Sequence, residues 1–293
     1  MNRTRLPGTP DPSFFITGSD NNQIALDVWG KAANPAVILM HGGGQTRHAW
    51  KGTGKKLAAA GFYAVSIDLR GHGDSDWVSS EVGYTEAELA ADLGCVIKAL
   101  VLQKPVLVGA SLGGMAALTA IGFDTVDASA LVLVDIVPGF TKSGAERVLQ
   151  FMAMGAKGFD SLDEIKAIVK HYQSHRKSNH KSDGLSKNIR LGDDGRYYWH
   201  WDPAFLKRST DDYVDVQNTL KQCAKNIKVP TLLVRGGLSD LLTDESAQEF
   251  LTLCPQAKYT NVTDAAHMVA GDRNDIFTEA VINFLQSSLR QSL

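Results

Sequence analysis

Cysteine is scarce in this chain. Its three cysteines, Cys95, Cys223 and Cys254, are far apart and have no CxxC spacing, which excludes a disulfide framework and a thiolate metal site and points to a reducing compartment, the cytoplasm. An excess of one charge is also missing. Thirty Lys and Arg face 32 Asp and Glu, for a net charge of −2, so there is no basic field to hold nucleic acid or an anionic membrane surface. Long apolar runs are absent as well. The richest strings, Ala36 to Met40 and Leu131 to Val134, stop far short of the roughly 20 residues that span a bilayer. Near the start, Phe14, Phe15 and Ile16 are too few for a signal h-region. With Pro7, Pro10 and Pro12 close by, the first dozen residues read as frayed.

The rest of the composition is that of an ordinary globular protein. Hydrophobic residues make up 44% and charged residues 21%, enough for a sizeable core. A length of 293 residues accommodates one large α/β domain or two ordinary ones. Apolar runs alternate with amphipathic stretches. Phe14 to Gly18 and Gln23 to Trp29, separated by turn-formers, predict an antiparallel hairpin. Ala36 to Met40, Ala64 to Ile67, Val106 to Gly109 and Ala130 to Val134 are uniformly apolar, as in strands covered on both faces. Helical stretches lie between them, at about 46 to 60, 85 to 101 and 112 to 122. After Pro138 the rhythm breaks, and about ninety residues pass with no convincing buried strand. It resumes at Val229 with a strand from Thr231 to Val234, a helix, a strand near Ala257 to Val262 and a last helix. The expected organisation is one α/β core, residues 1–138 and 229–293, interrupted by a helical cap at 139–228.

Two strings carry chemistry. Gly109-Ala110-Ser111-Leu112-Gly113 reads G-x-S-x-G where a strand gives way to a helix, the setting of a serine pushed out on a strained turn. His41-Gly42-Gly43-Gly44-Gln45 follows another strand, and its glycines let the backbone turn N–H groups inward, as an oxyanion hole requires. The lysine of a P-loop and the spacing of a dinucleotide fingerprint are absent. His171 and His175, at i and i+4 with His180 nearby, lack a Glu between them and an evident third ligand, so a metal site is not expected. Tyr197-Tyr198-Trp199-His200-Trp201 is an aromatic cluster in a polar stretch. Its rings either anchor the insertion or line a pocket, with Trp199 and Trp201 as the pocket candidates.

In order along the chain, HGGG at His41, DLRGHGDS at Asp68 to Ser75, GASLGG at Gly109 and DAAHMVAGD around His267 resemble the α/β-hydrolase fold superfamily, in its capped esterase, epoxide-hydrolase and carbon-carbon hydrolase branch. The resemblance implies a mostly parallel eight-stranded sheet flanked by helices, with a helical cap inserted after the sixth strand. It further implies a triad in the order Ser, acid, His. Ser111 is then the nucleophile and His267 the base. Asp240, on the loop after the strand Thr231 to Val234, is the favoured acid, and Asp135, one strand earlier, is its competitor. The oxyanion donors implied are the backbone N–H groups of Leu112 and Gly43, with Gly44 and Met268 near the pocket. His72 sits in a motif that is mostly architectural. A serine rather than an aspartate at the elbow argues against epoxide hydrolysis and dehalogenation and for attack on a carbonyl. The expected function is hydrolysis of small-molecule carboxylic esters with small to medium acyl chains and no cofactor. Carbon-carbon hydrolysis of vinylogous diketones, lactone hydrolysis, perhydrolysis and a ligand receptor on a hydrolase scaffold are the alternatives.

Overall fold

The computed structural model describes residues 3–79, 83–172, 182–207, 213–263 and 274–289. Its strands are β1 (Arg3–Arg5), β2 (Phe14–Thr17), β3 (Gln23–Trp29), β4 (Ala36–Met40), β5 (Tyr63–Ile67), β6 (Val106–Ala110), β7 (Ala130–Val134), β8 (Ile189–Gly192), β9 (Tyr197–Trp199), β10 (Thr231–Gly236) and β11 (Ala257–Val262). Its α-helices are α1 (Lys51–Ala59), α2 (Glu86–Ala99), α3 (Leu112–Gly122), α4 (Lys142–Ala153), α5 (Leu162–Tyr172), α6 (Tyr213–Asn226), α7 (Asp244–Leu253) and α8 (Asn274–Leu289).

Eight strands form one sheet in the order β11-β10-β7-β6-β4-β5-β3-β2, in which β3 alone runs against its neighbours. β4, β5, β6 and β7 are buried at every residue because both faces of the sheet are covered. Val37, Leu39, Val106, Val108, Val132 and Val134 pack on one side against Leu57 of α1 and Phe277, Val281 and Leu285 of α8. Ile38, Met40, Leu107, Leu131 and Leu133 face the other side, with Leu93 of α2, Ala117 of α3 and Leu220 of α6. That second core continues without a break into Phe159, Ile165, Ile189, Trp199, Trp201 and Phe205 of the inserted segment. The insertion therefore shares the apolar core of the sheet.

Two expectations are corrected here. The inserted segment is not purely helical: β8 and β9 form an antiparallel pair. Nor is Arg3–Arg5 frayed, since this strand, β1, completes that small sheet, with Arg3 opposite Gly192 and Arg5 opposite Arg190. The Arg3 guanidinium lies 4.0 Å from the Tyr198 ring centre and 5.2 Å from that of Trp77, a cation–π bracket between core and insertion.

Buried charge organises the loops that follow β4 and β5. Arg47 is fully buried and bonds Asp68 at 2.5 Å and Asp74 at 2.8 Å, with Asp27 at 3.2 Å. Removing one member of such a set strands a desolvated charge, at about 3–5 kcal/mol. Arg47→Leu should accordingly lower the unfolding free energy by an amount in that range, read as a lower urea midpoint at an unchanged slope. An unchanged midpoint would show that water replaces the guanidinium.

Among the described residues, no helix is long and apolar enough to cross a membrane.

Candidate active site

The parallel strands β10, β7, β6 and β4 are neighbours, so their carboxyl ends share one edge, the edge where ligands bind in open α/β sheets. β6 delivers Ser111 there. The turn into α3 is tight: a Cβ on Gly109 would lie 2.3 Å from Gly113 O, and one on Gly113 would lie 2.5 Å from Met40 O. Only glycine fits at these two positions, which explains the G-x-S-x-G pattern. Ser111 itself sits at φ 45°, ψ −111°, a conformation that non-glycine residues hold only when the surroundings impose it. Its N–H donates to Val134 O at 3.1 Å, and its carbonyl accepts from Met115 N–H at 2.9 Å.

β4 delivers the glycine loop. Gln45 N–H donates to Gly42 O at 3.1 Å, closing a turn whose third residue, Gly44, has φ 73°, as a type II turn requires. Gly42 N–H is taken by the Gln45 side chain at 3.0 Å. Gly42 O also accepts from His41 Nδ1 at 2.8 Å. Because a trans peptide sets its N–H opposite its C=O, these two bonds to Gly42 O fix the direction of Gly43 N–H. A Cβ on Gly42 would lie 3.4 Å from Ser111 Cβ, so the loop runs beside the serine.

Ser111 opens into a cavity of about 140 Å³. Gly43 and Leu112 line it with Met115, Ile136 and Leu241 of the core and Phe140 of the insertion, while Ala145, Val148, Leu149 and Met152 of α4 form one wall. Glu86, Lys142 and Glu146 are its charged lining residues, and the last two face each other at 4.0 Å. The α4 wall escaped the sequence reading, although Ala145, Val148, Leu149 and Met152 follow the i, i+3, i+4, i+7 signature of an amphipathic helix.

Trp199, Trp201 and Gly44 are not among the residues that line this cavity. The two tryptophans stack on each other at 4.8 Å and donate their indole N–H groups to Met154 O at 2.8 Å and Met152 O at 3.3 Å. They act as anchors of α4. His72 is buried against His41, His200 and Phe205, donates to Arg70 O at 3.2 Å, and is pushed down to about 3 by burial; it does not line the cavity. His171 lies in the last turn of α5, exposed, and His175 and His180 lie outside the described residues. Among the described residues, no group of His, Cys, Asp and Glu is arranged to hold a metal ion.

The two candidate acids differ sharply. Asp240 has a side chain 46% exposed and pairs with Arg147 of α4 at 2.5 Å. Asp135 is fully buried, follows directly on β7 and has φ 52°. Its Oδ1 accepts from Gly236 N–H at 2.9 Å and its Oδ2 from the Ser239 hydroxyl at 2.5 Å. β11 ends at Val262 on the same edge. His267 and Met268, further on, lie outside the described residues.

A doubly covered parallel sheet that presents a strained serine and a glycine turn at the carboxyl ends of adjacent strands defines an α/β hydrolase. A family model of the α/β hydrolase fold matches residues 35–273, and the chain belongs to that family. Esterase Rv0045c of Mycobacterium tuberculosis is 28% identical over 267 residues, covering 88% of this chain and 85% of that protein. The mouse sn-1-specific diacylglycerol lipase ABHD11 is 28% identical over 268 residues, 87% of this chain and 82% of its own. The crystal structure of E-2-(acetamidomethylene)succinate hydrolase superposes with a TM-score of 0.82 at 20% identity, over 93% of this chain and 98% of that one.

Proposed function

We propose that this α/β hydrolase is a carboxylic ester hydrolase for small to medium, apolar acyl groups, with the inserted segment acting as a cap that limits their size. The observation that carries the reading is Ser111 at φ 45°, opening directly into an apolar cavity beside the glycine turn. In this reading the Ser111 hydroxyl attacks the ester carbonyl while His267 takes its proton. The tetrahedral oxyanion is met by Leu112 N–H and Gly43 N–H. His267 then gives the proton to the leaving alcohol, and water, activated by the same imidazole, hydrolyses the acyl-enzyme.

Asp240 is replaced by Asp135 as the proposed acid. The residue that orients the imidazole and steadies its charge needs a rigid, desolvated carboxylate. Burial, two hydrogen bonds and a fixed strand end support Asp135 in that role, whereas Asp240 is spent on an exposed pair with Arg147.

The cavity volume supports this size class. An apolar cavity of about 150 Å³ accepts a benzene-sized guest, which matches the 140 Å³ here. Acetate to hexanoate p-nitrophenyl esters should turn over best, and the decanoate should fall by about tenfold or more, since forcing extra methylenes into a filled pocket costs roughly 1–3 kcal/mol. Leu149→Ala, which opens the α4 wall, should move the preference toward longer chains. A flat chain-length profile that Leu149→Ala leaves unchanged would remove α4 from the acyl pocket.

A further inference from the structure

The glycine turn is gripped from the side of the insertion as well as from β4. His200 is buried and receives a hydrogen bond from Gly73 N–H to its Nδ1 at 2.7 Å. A neutral imidazole has one acceptor and one donor nitrogen, so the proton resides on Nε2, and that N–H reaches Gly44 O at 3.4 Å. The ring is held in the neutral form because burial drives its pKa well below the ordinary value.

The segment bearing His200 is itself immobilised on the core. Asp202 N–H donates to Gly71 O at 2.8 Å, and the Tyr84 hydroxyl donates to the Asp202 carboxylate at 2.5 Å. His200 N–H donates to Asn188 O at 3.1 Å. Trp201 meets the His200 ring edge-on at 5.1 Å, and its own ring lies 3.4 Å from where a Cβ on Gly44 would stand. His41 and Gln45 fix one carbonyl of the turn, Gly42 O, and His200 fixes another, Gly44 O.

We propose that His200 is a positioning residue for the oxyanion hole: by donating from Nε2 to Gly44 O, the inserted segment locks the turn that presents Gly43 N–H to the substrate oxyanion. The consequence is that the insertion does more than cover the cavity. Lifting it away would remove a support of the catalytic turn, so closure and competence are coupled. The inference rests on the Ser111 acyl-enzyme reading with Gly43 as a donor.

The test separates the two ring nitrogens. The Asn amide places a polar group near the His Nδ1 position, and Gln places one near Nε2. His200→Gln should keep the donor to Gly44 O and hold kcat on p-nitrophenyl butyrate within about threefold of the parent. His200→Asn keeps only the acceptor for Gly73 N–H and should lower kcat by roughly 10- to 100-fold with KM nearly unchanged, because misplacing an oxyanion donor acts on the transition state. An alkyl trifluoromethyl ketone, whose adduct with serine carries an oxyanion, should lose affinity for the Asn variant in the same proportion. Thermal midpoints are measured alongside. Equal losses for Gln and Asn, losses that track the midpoints, or losses confined to KM would each overturn the proposal. Ser111→Ala runs in parallel: turnover surviving in that variant would bring down the acyl-enzyme reading itself, whatever the His200 variants do.

Discussion

Ser111→Ala is expected to lower kcat on p-nitrophenyl butyrate by about 10⁴- to 10⁶-fold. Removing a serine nucleophile costs about as much as removing the whole triad, because the remaining members have nothing to activate. The residue of catalysis, about 10³- to 10⁴-fold over water, belongs to the oxyanion donors and binding. The fold should be unaffected, since alanine takes the same backbone conformation and deletes one oxygen at a partly exposed position. A companion substitution reads the strain directly. At φ 45° glycine adopts without penalty what serine and alanine are forced into, so Ser111→Gly should be more stable than Ser111→Ala in denaturant unfolding, by about 1–2 kcal/mol. The two results together assign the strain to the elbow and the chemistry to the hydroxyl. If Ser111→Ala retained turnover within tenfold of the parent, both the nucleophile and the ester mechanism would be withdrawn.

The parts of the molecule that were legible in sequence are those whose cause is local. β4, β6 and β7 are buried on both faces, so each residue must be apolar, and the runs Ala36–Met40, Val106–Ala110 and Ala130–Val134 announce themselves. Ser111 was legible because the contacts of Gly109 and Gly113 with neighbouring backbone forbid any side chain, and that prohibition is written as a motif. β1 was not legible. Arg3–Arg5 has no strand-like pattern of its own and extends only because β8, far along the chain, offers it an edge. β8 and β9 failed for the same reason: four and three residues long, they are held by the insertion's own aromatic packing. The cavity wall on α4 left an amphipathic trace, but the face of a helix that meets a cavity and the face that meets a core look alike in sequence. His200 could be seen only as a member of an aromatic cluster. What it grips, Gly44 O and Gly73 N–H, belongs to loops more than a hundred residues earlier.

The two candidate acids are the clearest case in which local reading and tertiary setting part. Asp240 stands on the loop that follows β10, a reasonable address for it, yet nothing local says whether that carboxylate turns inward. Here it turns outward to Arg147, in the kind of exposed ion pair that contributes about 0–1 kcal/mol. Asp135 turns inward, and the backbone shows it: Ser111 and Asp135, at φ 45° and 52°, follow the paired residues Ala110 and Val134 of adjacent strands. Two strained non-glycine residues side by side at the ends of paired strands mark where a fold holds groups in place for chemistry. Asp135→Asn should therefore reduce kcat by about 10²- to 10⁴-fold, since an amide in place of the orienting carboxylate favours the wrong imidazole tautomer and leaves the imidazolium without its counter-charge. Asp240→Asn should stay within about threefold of the parent in kcat, its effect being confined to the seating of α4. Both variants are to be compared on one ester with thermal midpoints measured, so that a loss caused by unfolding around the buried Asp135 is recognised. Should Asp240→Asn be the crippled enzyme and Asp135→Asn the active one, the acid would belong on the loop after β10, and the Arg147 pair would have to give way during turnover.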